Sequence, residues 1–225
     1  MKRNGSHILA TTTMLVLLIT AMISCDKEND IDKAYTDYLY DFVTYLGKQA
    51  DGTTTFELES RDNGPVTTLI AGDVDIPKGV DEGNRVLLRY APAGADNGNS
   101  RHIYAYAVNA IISDSLRYTI KPLETYLQGN SPVKLRSLWR TGNYLNFHGQ
   151  LEYTGKSRHF YLLLDSTTAK RDTVECYMVH NVFGDTTYHW RECYASFYVG
   201  VMWKRPSCRV MRVHIGDETR CFDNN

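Results

Sequence analysis

The chain has 225 residues, 43% of them hydrophobic and 23% charged, with a formal net charge of −1. No basic stripe or positive excess is present, so a surface that grips phosphate backbones is excluded and no nucleic-acid partner is expected. Tyrosine is over-used, with 16 copies against 7 Phe and 3 Trp, and β-formers alternating with short polar turns predict an all-β chain of one or two domains.

The chain opens with Lys2 and Arg3, an apolar run Ile8–Ile23, the small Ser24 and then Cys25. This order predicts a signal peptide over 1–24, cleaved at Cys25. The run falls short of the ~20 apolar residues of a spanning helix, and its threonines weaken it further. Met22-Ile23-Ser24-Cys25 resembles the lipobox of bacterial lipoproteins, which implies lipidation of Cys25 and attachment to a membrane by that lipid. Without the leader, 23 basic and 26 acidic side chains remain, net −3. Residues 25–34, with Asp26-Lys27-Glu28-Asn29-Asp30, are polar and aperiodic and read as a tether.

From Tyr38 the pattern becomes β. Strands are expected over Asp37–Leu46, Thr54–Glu59, Pro65–Ile70 (after a turn at Asp62-Asn63-Gly64), Arg85–Tyr90 and His102–Ile112. Five strands with the Gly-rich loop 94–99 before the last predict a small barrel over 35–122. A seam follows, from Lys121-Pro122 to Ser131-Pro132, and the apolar pattern restarts at Val133. Strands are then expected over Asn143–Tyr153, His159–Asp165, Thr173–Val182, Tyr188–Val199 and Cys208–Ile215. Their spacing predicts an antiparallel β-sandwich over 126–222. The short basic run Lys134, Arg136, Arg140 reads as a solvated strand face.

Several short motifs, in this order and spacing, are similar to the NigD-like lipoprotein family. They are Asp62-Asn63-Gly64, Asp81-Glu82-Gly83-Asn84-Arg85-Val86 followed by Tyr90, and Tyr144-Leu145-Asn146-Phe147. His159-Phe160-Tyr161-Leu162, His180-Asn181 with Gly184-Asp185, and Ser196-Phe197 complete the set. Val179 stands where that family usually has arginine, and Asn84 where glutamine is common. The resemblance implies an OB-type N-terminal barrel followed by a C-terminal β-sandwich. It also implies a non-catalytic accessory lipoprotein of a Gram-negative outer membrane, on its periplasmic or cell-surface face, with bacteriocin immunity as the proposed role. Tyrosine-rich faces and the oligosaccharide-binding habit of OB barrels give the alternative, glycan capture for an uptake system. The partner is thus an unidentified protein or a glycan.

No constellation for catalysis emerges. Gly149–Ser157 has five residues between its glycines and precedes a strand, so it reads as a hairpin turn rather than a phosphate loop. There is no Gly-x-Ser-x-Gly elbow, and no cofactor is expected. The histidines His102, His148, His159, His180, His189 and His214 read as hydrogen-bonded strand residues, and Asp81-Glu82 and Asp217-Glu218 as solvated turns. A hairpin over Thr173–Val199 with a turn at Gly184-Asp185 sets Cys176 opposite Cys193 and His180 opposite His189. Directly opposed Cβ atoms lie ~4.5–5.5 Å apart, so a Cys176–Cys193 disulfide is compatible with that register, as are two buried thiols. A shared zinc fails on distance, because strand positions four apart are ~13 Å apart. Cys208 and Cys221 are the remaining candidate pair.

Overall fold

The computed structural model describes residues 38–61, 64–94, 98–156 and 159–224. Strands β1 (Leu39–Lys48), β2 (Thr54–Leu58), β3 (Thr67–Ala71), β4 (Arg85–Pro92) and β5 (Ser100–Ala110) close into a barrel in the order β1-β2-β3-β5-β4. Only β3 and β5 join in parallel; the other pairings are antiparallel. Closure leaves no strand edge for another chain to extend. Val43, Phe56, Leu69, Val86, Leu88 and Ile103 fill the interior. On β1, however, Phe42, Val43, Thr44 and Tyr45 are buried in succession. A strand buried on both faces reads this way: Val43 and Tyr45 enter the barrel, while Phe42 meets Trp139 and Tyr194 of the second half.

The second half begins almost at once, with β6 (Ile112–Ser115) and β7 (Arg117–Tyr118), then the short helix α1 (Leu123–Leu127). There follow β8 (Val133–Thr141), β9 (Tyr144–Tyr153), β10 (His159–Leu164), β11 (Thr173–Asn181) and β12 (His189–Tyr198), the turn of helix α2 (Gly200–Trp203), β13 (Val210–Ile215) and β14 (Glu218–Asp223). Two sheets form, β14-β13-β11-β10-β7 and β6-β12-β9-β8. Their inner faces share one core of Leu145, Phe147, Leu162, Leu164, Val174, Met178, Phe197 and Val213, each at most 1% exposed. The expected all-β plan of barrel followed by sandwich is the one observed. Within the sandwich, β6–β12, β7–β10 and β11–β13 pair in parallel.

Two expected hairpins are corrected. β11 pairs with β10 and β13, whereas β12 pairs with β9 and β6, so the chain between them crosses from one sheet to the other. Alternation had placed Cys176 and Cys193 correctly in the core, but the period of two says which face a residue takes and nothing about which strand lies beside it. Cys176 has Leu164 and Val213 as its ladder neighbours and Cys193 has Gly149. The crossing turn has positive φ at Phe183 and Gly184, with the Asp185 N–H donated to the Val182 carbonyl, one residue earlier than expected. The loop after Tyr153 likewise joins β9 and β10 across sheets. The predicted seam at 121–132 also lies too late, since β6 and β7 already belong to the two sandwich sheets.

Candidate functional site

The junction of the two halves is built around one cation. Arg85, beside Thr44 in the β1–β4 ladder, is 1% exposed and points out of the barrel into the sandwich. Its guanidinium donates to the Phe42 carbonyl at 2.9 Å and to the hydroxyls of Thr44, Ser196 and Thr141 at 3.2, 3.3 and 3.4 Å. The Tyr144 ring lies against it at 4.3 Å. Asn146 closes the circuit, donating to Thr141 Oγ1 at 2.8 Å and accepting the Ser196 hydroxyl at 2.7 Å. Among the described residues no carboxylate bonds the guanidinium directly, and burial holds its pKa down to about 10. A buried charge is tolerated when its donors are satisfied, and these acceptors come from β1, β8 and β12. The result is a rigid joint between the halves.

Beside this joint opens a cleft of about 500 Å³. Tyr40, Phe42, Trp139, His148 and Tyr194 supply its rings, and Asp41, Glu59, Ser60, Arg61 and Thr141 its polar groups. Phe42 and Trp139 pack with centroids 5.1 Å apart, and the Arg61 guanidinium covers Trp139 at 5.1 Å. His148 stacks on Tyr194 at 4.5 Å and 13°, fixed by its Nε2 contact to Glu192 at 2.8 Å. Glu59 is 9% exposed. Its Oε2 accepts the Asn143 N–H at 2.9 Å. Burial pushes its carboxyl above the usual carboxylate range, against the opposing pull of that amide and of Arg85. The fit depends on Gly142: a Cβ there would collide with Glu59 Oε2, and φ is +46°. A cleft of this size, with several aromatic faces and a few convergent polar groups, is the form of a small-ligand site.

Sequence reasoning named only some of these residues. Arg85, Tyr144, Asn146 and Ser196 all fall in the motifs that carried the family resemblance, and in the fold they form one network. His180-Asn181 serves elsewhere. The His180 N–H donates to Asn130 Oδ1 and its carbonyl accepts the Ser131 N–H, pinning the chain just before β8. Glu59, Trp139 and Arg61 were not singled out, because the cleft draws on β1, β2, β8, β9 and β12 and no local pattern joins them. The excess of tyrosine was the available signal.

Cys25 and the Asp62-Asn63 turn lie outside the described residues. Cys176, Cys193 and Cys208 are buried, Cys221 is exposed on β14, and no disulfide joins any two of the four. Among the described residues no group of three His, Cys, Asp or Glu could hold a metal ion, and no helix is long and apolar enough to cross a membrane.

Residues 118–215 match the family model described as the NigD-like C-terminal beta sandwich domain, as the sequence motifs led one to expect. A solved NigD-like immunity protein from Bacteroides caccae is 22% identical, with 82% of this chain and 91% of that chain covered and a TM-score of 0.55. A protein of unknown function from Bacteroides vulgatus is 15% identical, with coverage of 83% and 89% and a TM-score of 0.64. A candidate lipoprotein from Bacteroides fragilis is 11% identical, with coverage of 84% and 98% and a TM-score of 0.54. At such identities the likeness is one of fold. No curated protein matches the chain in sequence.

Proposed function

Since residues 118–215 form a NigD-like C-terminal beta sandwich domain, we propose that the chain is a non-catalytic binding lipoprotein that holds its partner in the junction cleft. Lipid on Cys25 tethers it to the outer membrane, and its accessory role is immunity to a bacteriocin, as the description of the Bacteroides caccae neighbour suggests. The observation that carries this reading is the cleft: five rings and a buried carboxylate, set on strands and locked by the Arg85 network. Its groups suit holding rather than reaction, because the polar side chains are engaged with the protein itself. Asp41 accepts the Tyr90 hydroxyl, Glu59 the Asn143 amide, and His148 is held by Glu192. Glycan capture for an uptake system is a second reading, favoured by the aromatic lining.

The test combines location and phenotype. Cys25→Ala is expected to leave the protein unprocessed or soluble, and protease added to intact cells is expected to degrade the wild type. A strain lacking the gene should become sensitive to a bacteriocin from a related producer, and wild type but not Trp139→Ala should restore resistance. A Cys25→Ala protein that still fractionates with membranes, or full rescue by Trp139→Ala, would overturn the proposal.

A further inference from the structure

The described cavities differ in character. The sandwich-end pocket of about 280 Å³ carries Lys156 and Asp185 paired with each other at 2.7 Å, so its charges are already satisfied within the protein. The junction cleft instead combines ring faces with two acidic groups, Asp41 and Glu59, against one basic group, Arg61. With Arg85 buried behind Phe42 and Thr141, acidic and basic groups around the cleft balance, and the lining offers phosphates, sulfates and carboxylates no excess of positive charge. Rings with hydrogen-bonding groups at their margins fit a flat ligand that is apolar on its faces and rich in hydroxyls around its edge.

The aromatic surface continues outside the cleft. Tyr40, 58% exposed, lies opposite Arg89 in the β1–β4 ladder. The Arg89 guanidinium sits 5.8 Å from the Tyr106 ring, and Tyr104 and Tyr106 stand outward on β5, 61% and 48% exposed. A second hollow of about 290 Å³ is lined by these two tyrosines and by Gly72 and Asp73. Adjacent strands are ~4.8 Å apart, so Tyr40 on β1 and the β5 tyrosines stand two strands apart on the barrel wall, with the Arg89 side chain of β4 between them. Three exposed tyrosines on neighbouring strands of one barrel wall make this the aromatic surface nearest the cleft on which further rings of a ligand could lie.

We infer that the cleft receives one pyranose ring of a neutral oligosaccharide whose following rings run out from Tyr40 along Tyr106 and Tyr104. Tyr40, the exposed ring of the cleft, supplies the stacking face, while Trp139, packed between Phe42 and Arg61, and Tyr194, stacked on His148, form the wall beside it. Arg61 donates to hydroxyls of the inserted ring, and Glu59 and Asp41 accept from them through carboxylate lone pairs beyond those that hold the Asn143 N–H and the Tyr90 hydroxyl. The inference rests on the reading of the cleft as the working site and names its ligand class.

The experiment uses the acylated full-length protein in a non-glycosidic detergent. It is titrated by calorimetry with the hexaoses of starch, cellulose, xylan and mannan, and with heparin and polygalacturonate as anionic probes. At least one neutral hexaose is expected to bind and to change tryptophan emission through Trp139. Tyr40→Ala and Tyr106→Ala are expected to weaken it at least tenfold, about 1.4 kcal/mol each, with melting unchanged. Tyr188→Ala, at the far end of the sandwich, is expected to leave binding as it is. The shorter triose should lose affinity if the surface beyond the cleft is used. Silence across the neutral panel, preference for the anionic probes, or binding indifferent to Tyr40→Ala and Trp139→Phe would overturn the inference. Affinity purification separates the two ideas. A partner protein that is retained by wild type and lost with Trp139→Ala, alongside silence on glycans, leaves the cleft as working site and removes the ligand class. A partner indifferent to the cleft variants removes both.

Discussion

Replacing Arg85 by methionine tests the joint between barrel and sandwich. The substitution keeps an unbranched side chain at the position and removes four hydrogen bonds together with the contact to Tyr144. Three of those bonds exceed 3.0 Å, so about 1 kcal/mol apiece is appropriate, and the ring contact adds about 1–2 kcal/mol. Against this stands relief from burying a cation: a pKa lowered from 12.5 to about 10 corresponds to about 3 kcal/mol of penalty at neutral pH. The net loss is about 2–3 kcal/mol, or about 5–10 °C in Tm for a unit of this size. The form of the transition is more diagnostic than its midpoint. Trp139 packs on Phe42 and Arg61 of the barrel half, so the comparison is made in a Trp139→Phe background, where the emission of Trp190 and Trp203 follows the sandwich alone while far-UV circular dichroism follows both halves. With Arg85 intact, that parent is expected to unfold with the two signals coincident. In Arg85→Met the dichroism should begin to fall first, as the barrel melts away from a sandwich that persists. Coincident curves with Tm within about 2 °C of the parent would refute the reasoning.

Gly142→Ala is expected to cost about 3 kcal/mol in urea unfolding, because its Cβ strikes Glu59 and φ is +46°, whereas Gly216→Ala, at φ +57° with open space around it, should cost only about 1 kcal/mol. Because the folded-state pKa of Glu59 is raised, the native chain binds the extra proton just above the ordinary carboxylate value. That contribution to stability is full below the unfolded pKa and is lost as pH rises through the folded one. Wild type should therefore lose stability relative to Glu59→Gln as pH rises through that window, and carboxyl-detected NMR should place the Glu59 midpoint above the usual carboxylate range. Brief alkylation of the native protein followed by peptide mapping should label Cys221 and spare Cys176, Cys193 and Cys208, while alkylation in guanidinium without reductant should label all four. Failure to label any one of them in guanidinium would mean that it is bridged.

Much of this architecture is legible in the chain. The five barrel strands fall within a few residues of their expected places, since each is a run of β-formers between clear turns, even where β1 is buried on both faces and loses its alternation. Faces were also legible: Val174, Cys176 and Met178 enter the core, as Cys193, Ala195 and Phe197 do. Neighbours were not. A sandwich strand leaves the same pattern whether its successor turns back beside it or crosses to the facing sheet, and the crossing at Phe183-Gly184 uses residues that a hairpin would also use. β6 was hidden because it continues the pattern of β5 after a single residue. The cleft could not be read at all as a place. Its rings lie on strands far apart in sequence, and only the folded register brings Phe42, Trp139 and Tyr194 together.

Between Ala110, the last residue of β5, and Ile112, the first of β6, stands only Ile111. A one-residue connection leaves little slack, and the Arg85 circuit ties the same joint through bonds to both halves. The two halves are therefore expected to present the proposed cleft as a standing opening rather than to close on its contents. Association should proceed at a rate set by diffusion into that opening, with little reorganisation enthalpy and closely similar shapes of the empty and filled protein. Such a molecule passes on no conformational message. If the cleft is the working site, as proposed, its contribution is occupancy, registered by whatever meets the guest next.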